Sequence, residues 1–207
     1  MWYAQDSGRP EFWERGMTEE EQDIFFGIIN RFVGFHSRDA ARKTGNDISC
    51  EYPFVAMDSR QVFEQVRFAA RCLARDTAAG SAGPPRFLDI GCGIGNVLLI
   101  AEQFGFDVRG IEKDPYSFPI AARLIGEERI SQADIWTFAG YGDFEVLYYF
   151  RPFCRREQQL RFEKLVEDSM RPGALLIANH KNSDAIDRDP RFSRLSSELP
   201  IWRKIAA

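Results

Sequence analysis

The sequence predicts an α/β domain: an open, mostly parallel sheet with helices on both faces and a ligand crevice at the strand ends. Three observations predict it. Residues 86–114, RFLDIGCGIGNVLLIAEQFGFDVRGIEKD, read as an apolar strand, a glycine turn, an amphipathic helix and a second strand ending in an acid. Apolar runs at 129–133, 143–153 and 174–178 then recur with helical patterns between them, the alternation that builds a parallel sheet. The last segments, 191–196 and 201–205, are short and joined by Glu198, Leu199 and Pro200, which suits an antiparallel hairpin closing one edge.

The first unit carries the most information. Phe87, Leu88 and Ile90 form the short apolar run of a strand buried on both faces. Gly91, Gly93 and Gly95 follow, letting the backbone take positive φ and letting a ligand approach without a Cβ in the way. From Asn96, the residues Val97, Leu98, Ile100, Ala101 and Phe104 have helical spacing, and Gly105 stands where a C-cap glycine belongs. Phe106, Val108 and Ile111 make the next strand. Glu112 falls at its end, about twenty residues after the first glycine, where an acid takes both ribose hydroxyls of a nucleotide. A glycine fingerprint alone is also compatible with a tight turn that binds nothing, and it is the strand, helix and acid around it that favour a nucleotide.

The dinucleotide fingerprint is G-x-G-x-x-G, whereas this chain has G-C-G-I-G with Asp89 two positions before the first glycine. FLDIGCGIGN followed by GIEKD resembles the first and second motifs of the class I S-adenosylmethionine-dependent methyltransferases. The resemblance covers 86–178 well, the tail moderately and the first fifty-odd residues hardly at all. It implies a Rossmann-like sheet with S-adenosylmethionine as cofactor and Asp89 orienting its methionine end. It further implies the turn Gly91, Cys92, Gly93, Gly95 and Asn96 beneath the cofactor, with Glu112 and the adjacent Lys113 at the ribose. Asp134 is then expected to bond the adenine amino group, Ile135 to pack on the ring, and Phe150 to border the cofactor. The other reading of Asp134 is an ordinary turn cap. Trp136 and Phe138 are candidates for the adenine wall, but aromatics at this density are more often core. No G-x-x-x-x-G-K-[ST] phosphate cradle is present. Enzymes that methylate base amines often carry N-P-P-[YF] or D-P-P-[YF] after the fourth strand; this chain has F-R-P-F, which argues against that chemistry.

The 207 residues are enough for one domain with a sizeable core. A net charge of −4 gives no bulk attraction to nucleic acid. Cys50, Cys72, Cys92 and Cys154 are far apart in sequence without a C-x-x-C pair, so neither a disulfide framework nor a metal site is expected, and the setting expected is a reducing cytoplasm. No signal peptide or membrane span is read. Residues 1–16 read as an aromatic arm packed on the domain or flapped over the substrate mouth. Thr18 with Glu21 forms a capping box for a helix ending near 34–37, with Ile24, Phe25, Ile28, Ile29, Phe32 and Val33 as its apolar face. Residues 38–46 read as a polar loop, Asp58 as the N-cap of a helix over 59–75, and 76–85 as the connection into the first strand. Helices are also expected at 117–125 and 155–169. The division expected is an N-terminal arm and helical cap on the substrate side, 1–57, and a methyltransferase domain, 58–207.

Two side chains are candidates for the chemistry. His180, after the fifth strand, suits a general base by residue type and place, its other reading being a surface or capping histidine; His36 is the poorer candidate. Arg151 suits a carboxylate or phosphate of the substrate, its other reading being an ion pair with Glu157 or Glu163. A small metabolite is the first choice of acceptor, then a protein side chain, then nucleic acid. The alternatives are a nicotinamide-dependent oxidoreductase, and a binding or scaffold protein that keeps the fold without turnover.

Overall fold

The computed structural model describes residues 17–76 and 83–205. Within them, β1 (Arg86–Ile90), β2 (Asp107–Ile111), β3 (Ile130–Ser131), β4 (Val146–Phe150), β5 (Leu175–Asn179), β6 (Phe192–Arg194) and β7 (Ile201–Lys204) form one sheet of order β3-β2-β1-β4-β5-β7-β6. The first five strands are parallel, and β7 runs antiparallel to both β5 and β6. The expected Rossmann-like sheet with a C-terminal antiparallel hairpin is therefore present. Strand order reverses between β1 and β4, so the crevice for a ligand opens at their carboxyl ends.

Burial explains the strand assignments. Phe87, Leu88, Ile90, Val146, Leu147, Tyr148 and Tyr149 are all at most 1% exposed, as the two central parallel strands require. At the sheet edge, β3 keeps only two of the five residues expected at 129–133, because β2 alone supplies its ladder.

Among the described residues five α-helices flank the sheet: α1 (Glu19–Lys43), α2 (Ser59–Asp76), α3 (Asn96–Glu102), α4 (Phe118–Ile125) and α5 (Arg156–Ser169). Val62, Val66, Leu98, Ile100 and Ala121 from α2, α3 and α4 pack on one face of the sheet. On the other, Phe162 and Val166 of α5 pack with Tyr141, Tyr149 and Trp202. Asp58 caps α2 by accepting the Gln61 N–H at 2.9 Å. Gly105, at φ 73°, closes the turn after α3.

Helix α1 departs from the sequence reading. Both halves of its capping box form between Thr18 and Glu21, but the helix runs on to Lys43, so 38–43 is not a loop. Ala40 is fully buried, and Asp39 pairs with Arg42 and Lys43 one turn on, so the polar stretch is held as helix by packing and local charge. Its apolar stripe is only half used: Phe26 and Ile29 are buried, with Phe26 edge-on to Phe63 at 5.3 Å, while Ile24 and Ile28 remain exposed among the described residues. The arm at 1–16 and most of the connection at 76–85 lie outside the described residues. Among the described residues no helix is long and apolar enough to cross a membrane.

Candidate active site

The glycine turn is fixed to the sheet by its own backbone. Gly91 and Cys92 both donate N–H to the Ile111 carbonyl, at 2.9 and 3.0 Å, tying the end of β1 to the end of β2. Gly93 and Gly95 hold φ of 56° and 87°, a region that favours glycine. A Cβ on Gly95 would sit 3.2–3.4 Å from Ile125 and Ala121, so this glycine lets α4 pack against the start of α3. A Cβ on Gly93 would overlap the Phe54 ring.

Two buried carboxylates flank the turn. Glu112 Oε2 accepts the Gly93 N–H at 2.7 Å and Oε1 accepts the Asp114 N–H at 2.8 Å, so the acid that ends β2 braces the turn that ends β1. Burial raises the Glu112 carboxyl to about 7 despite these two donors. Asp89 is 2% exposed, and burial followed by the nearby Glu112 raises its pKa well above the ordinary carboxylate range. Tyr148, on the adjacent strand, donates its hydroxyl to the Met57 sulfur at 3.2 Å.

These groups line a cavity of about 270 Å³ at the carboxyl ends of β1, β2 and β4. The structure brings nearly all the sequence-predicted residues to it. Asp89, Gly91, Cys92, Gly93 and Asn96 form its floor, Glu112 and Lys113 one wall, and Asp134, Ile135, Phe150, Arg151 and His180 the rest; Gly95 faces α4 instead. Asp134 has two positions to serve. Its Oδ1 accepts the Trp136 N–H at 2.9 Å, capping the turn after β3, while Oδ2 lies 3.4 Å from the Lys113 ammonium. Trp136 and Phe138 do not line the cavity: Trp136 packs on Phe153 at 5.1 Å and Phe138 on Tyr141 at 5.1 Å, and both belong to the α5-side core.

Arg151 makes no ion pair with Glu157 or Glu163. Its guanidinium lies over the Tyr52 ring, 5.4 Å from the centroid, and its buried Nε has no hydrogen-bond partner among the described residues. His180 holds φ 55°, uncommon for a residue with a side chain, and its ring stands edge-on to Phe150 at 5.2 Å. Two buried contacts hold the strand end that carries it. Gln65 and Asn179 exchange amide hydrogen bonds of 2.8 and 3.1 Å between α2 and β5. Lys181, the next residue, turns into the core to pair with Glu163 and Glu167 of α5. His36 lies elsewhere, between Phe32 and Phe35 on α1.

The wall that sequence reasoning missed is a strap of irregular chain, residues 45–57. Gly45 donates to Asp114 at one end, Tyr52 donates its N–H to the Pro152 carbonyl in the middle, and Glu51 pairs with Lys113. Phe54 covers Gly93. CEYPFVAM has neither period 2 nor period 3.6, so periodicity carries no signal for it; the clustered Tyr52, Pro53 and Phe54 between two helices were the available cue.

No protein-family model matches the chain, and no curated protein matches its sequence. Among solved structures, an RNA methyltransferase from Salinibacter ruber, crystallised with S-adenosyl-L-homocysteine, superposes with a TM-score of 0.50 at 16% identity, over 72% of this chain and 92% of that one. This chain has a Rossmann-like methyltransferase fold. A magnesium protoporphyrin IX methyltransferase from Synechocystis, solved with bound cofactor, is similar at a TM-score of 0.49 and 16% identity, over 86% of this chain and 93% of that one. Within this fold, the strap and the F-R-P-F segment line the same cavity as the glycine turn, with Phe54 of the strap lying on Gly93.

Proposed function

We propose that the cavity binds S-adenosylmethionine and that the protein transfers its methyl group to a small, anionic metabolite, with a protein side chain as the next class of acceptor. The observation that carries the cofactor assignment is the charge of the lining. Glu51, Asp89, Glu112, Asp114 and Asp134 face the cavity, against Lys113 and Arg151, and Lys113 is already paired with Glu51 and Asp134. A cofactor bearing a sulfonium and an ammonium suits buried carboxylates, whereas the pyrophosphate of a nicotinamide dinucleotide is disfavoured beside Asp89 and Glu112. That contrast supports the methyltransferase reading over the oxidoreductase one.

In this reading Asp89 takes the methionine ammonium, Glu112 the ribose hydroxyls and Asp134 the adenine edge, while Ile135 and Phe150 pack on its apolar surfaces. When bound, the cofactor supplies a methyl group on an already activated sulfur, so that the protein's part is alignment and exclusion of water. Tyr52, Phe54 and Phe150 exclude water, and Arg151 orients the acceptor through an anionic group. His180, at the same rim, takes the proton when the nucleophile arrives protonated. Residues 1–57 form the substrate side and 58–207 the catalytic domain.

The test is transfer of labelled methyl into fractionated metabolite and protein pools, with Arg151→Gln alongside. Label in an acidic small molecule, with KM for that acceptor raised about 10–100-fold in Arg151→Gln and cofactor affinity unchanged, supports the reading. Label confined to neutral acceptors, or an unchanged KM, contradicts the role given to Arg151.

A further inference from the structure

The strap's attachment to the strand-end loop brings together two cysteines that are 104 positions apart in sequence. Glu51 and Phe153 form an antiparallel bridge, flanked on one side by the Tyr52 N–H to Pro152 carbonyl bond at 3.0 Å. On the other side the Cys154 N–H donates to the Cys50 carbonyl at 3.0 Å. Cys50 and Cys154 therefore stand opposite one another in the register of this bridge, joined by that single bond, while the Cys50 N–H donates to the Asp47 carbonyl at 3.0 Å. Such partners have Cα atoms about 5.5 Å apart and side chains on one face, within the roughly 4.4–6.8 Å range of disulfides. Both are free thiols and partly exposed. Cys92, in contrast, is buried in the glycine turn.

We propose that Cys50 and Cys154 are a reversible dithiol–disulfide pair that reacts with low-molecular-weight disulfides and, when oxidised, fastens the strap over the cavity. The Cys50 sulfur donates to the Asp47 carboxylate at 3.2 Å, and that hydrogen bond, with burial next, raises its pKa, so attack begins at Cys154. The Cys154 thiolate attacks one sulfur of oxidised glutathione and expels a glutathione thiolate, which takes up a proton. Cys50 then rotates away from Asp47, loses its proton and displaces the second glutathione from Cys154. One S–S bond forms in the protein and one is cleaved in the reagent; the dithiol gives up two electrons and two protons, and glutathione disulfide takes them. A disulfide that solvent can reach, as at these two partly exposed residues, is the more readily reduced kind. Because the strap carries Phe54 onto Gly93 and Tyr52 onto Arg151, its fastening slows exchange of whatever the cavity holds. That consequence for the cofactor rests on the proposed function; the bond itself does not.

The experiment treats the full-length protein with oxidised glutathione, maps disulfides by mass spectrometry, and follows amide hydrogen exchange over 45–57, with Cys50→Ser and Cys154→Ser as controls. The expected result is an intramolecular 50–154 cross-link, reversed by dithiothreitol. With it, exchange across 45–57 slows at least tenfold, and neither occurs in either serine variant. Separate glutathione caps on Cys50 and Cys154, or a cross-link that leaves exchange of the strap unchanged, would overturn the proposal. S-adenosylhomocysteine binding to the reduced protein is measured in parallel: its failure counts against the cofactor reading and leaves the mapping and exchange results standing.

Discussion

The glycine turn between β1 and α3 and the strap at 45–57 line one cavity and are built in opposite ways. The turn is set by neighbours in regular structure: two N–H groups on the Ile111 carbonyl, Glu112 bracing Gly93, and Gly95 pressed against α4. The strap has no regular structure beyond a single bridge, and it is held by a few contacts to distant residues, Asp114, Lys113 and Pro152 among them. A wall made by backbone geometry and buried charge fixes where a ligand common to many proteins lies. A wall made by a few side-chain and bridge contacts is less constrained, and under the proposed function it is here that choice of acceptor belongs.

The largest effect is expected on the turn side. Gly93→Arg puts a long side chain into the cofactor bed, at positive φ and against Phe54, and abolishes S-adenosylhomocysteine binding by calorimetry while far-UV circular dichroism stays native. Retained affinity would remove the turn from the site.

Next in size is Glu112. Loss of its charge in Glu112→Gln weakens S-adenosylhomocysteine binding about 10–100-fold, the scale of a charge-assisted hydrogen bond of about 1.5–3 kcal/mol. The pH dependence has a definite sign. A carboxyl raised from its usual value to about 7 in the folded protein binds protons that the unfolded chain has already lost. Its contribution to ligand-free stability is therefore complete below the usual carboxylate pKa and disappears as pH rises towards 7. Melting temperature of the free protein should fall between pH 5 and pH 7.5, less steeply in Glu112→Gln, with Asp89 supplying the remaining slope in the same direction. Ribose hydroxyls bond the ionised carboxylate, so affinity should move the opposite way and tighten from pH 6 to pH 8. A flat affinity profile would detach Glu112 from the ribose.

The smallest effect is expected on the strap. Phe54→Ala removes the ring over Gly93 and should speed dissociation of S-adenosylhomocysteine by about tenfold or less. A loss as large as that of Gly93→Arg would show that strap and turn are equal partners, contrary to the comparison drawn above.

The same contrast explains what could be read from the sequence. Asp89, the glycine turn and Glu112 were legible because a buried parallel strand, a positive-φ turn and a strand-end acid each leave a local signature. Arg151, Phe150 and His180 followed from topology, since residues after β4 and β5 must reach the crevice. Residues 38–43 were misread because their helix is stabilised by the burial of Ala40 and by pairs made by Asp39, neither of which alters hydrophobic periodicity. For Trp136 and Phe138 the more frequent role of such aromatics, core packing, is the one found, since aromatic type alone does not say to which side of a turn a ring goes. Glu51, Tyr52 and Phe54 depend on partners far along the chain, or on the shape of the turn itself, and their only local trace was the clustering of Tyr52, Pro53 and Phe54 between two helices.

The most direct test of the central claim is calorimetric titration of the dialysed, ligand-free protein with S-adenosylhomocysteine, with NADH titrated in parallel. Saturable, one-site binding of the first and no heat from the second are expected. Binding of NADH, or of neither, would contradict the claim.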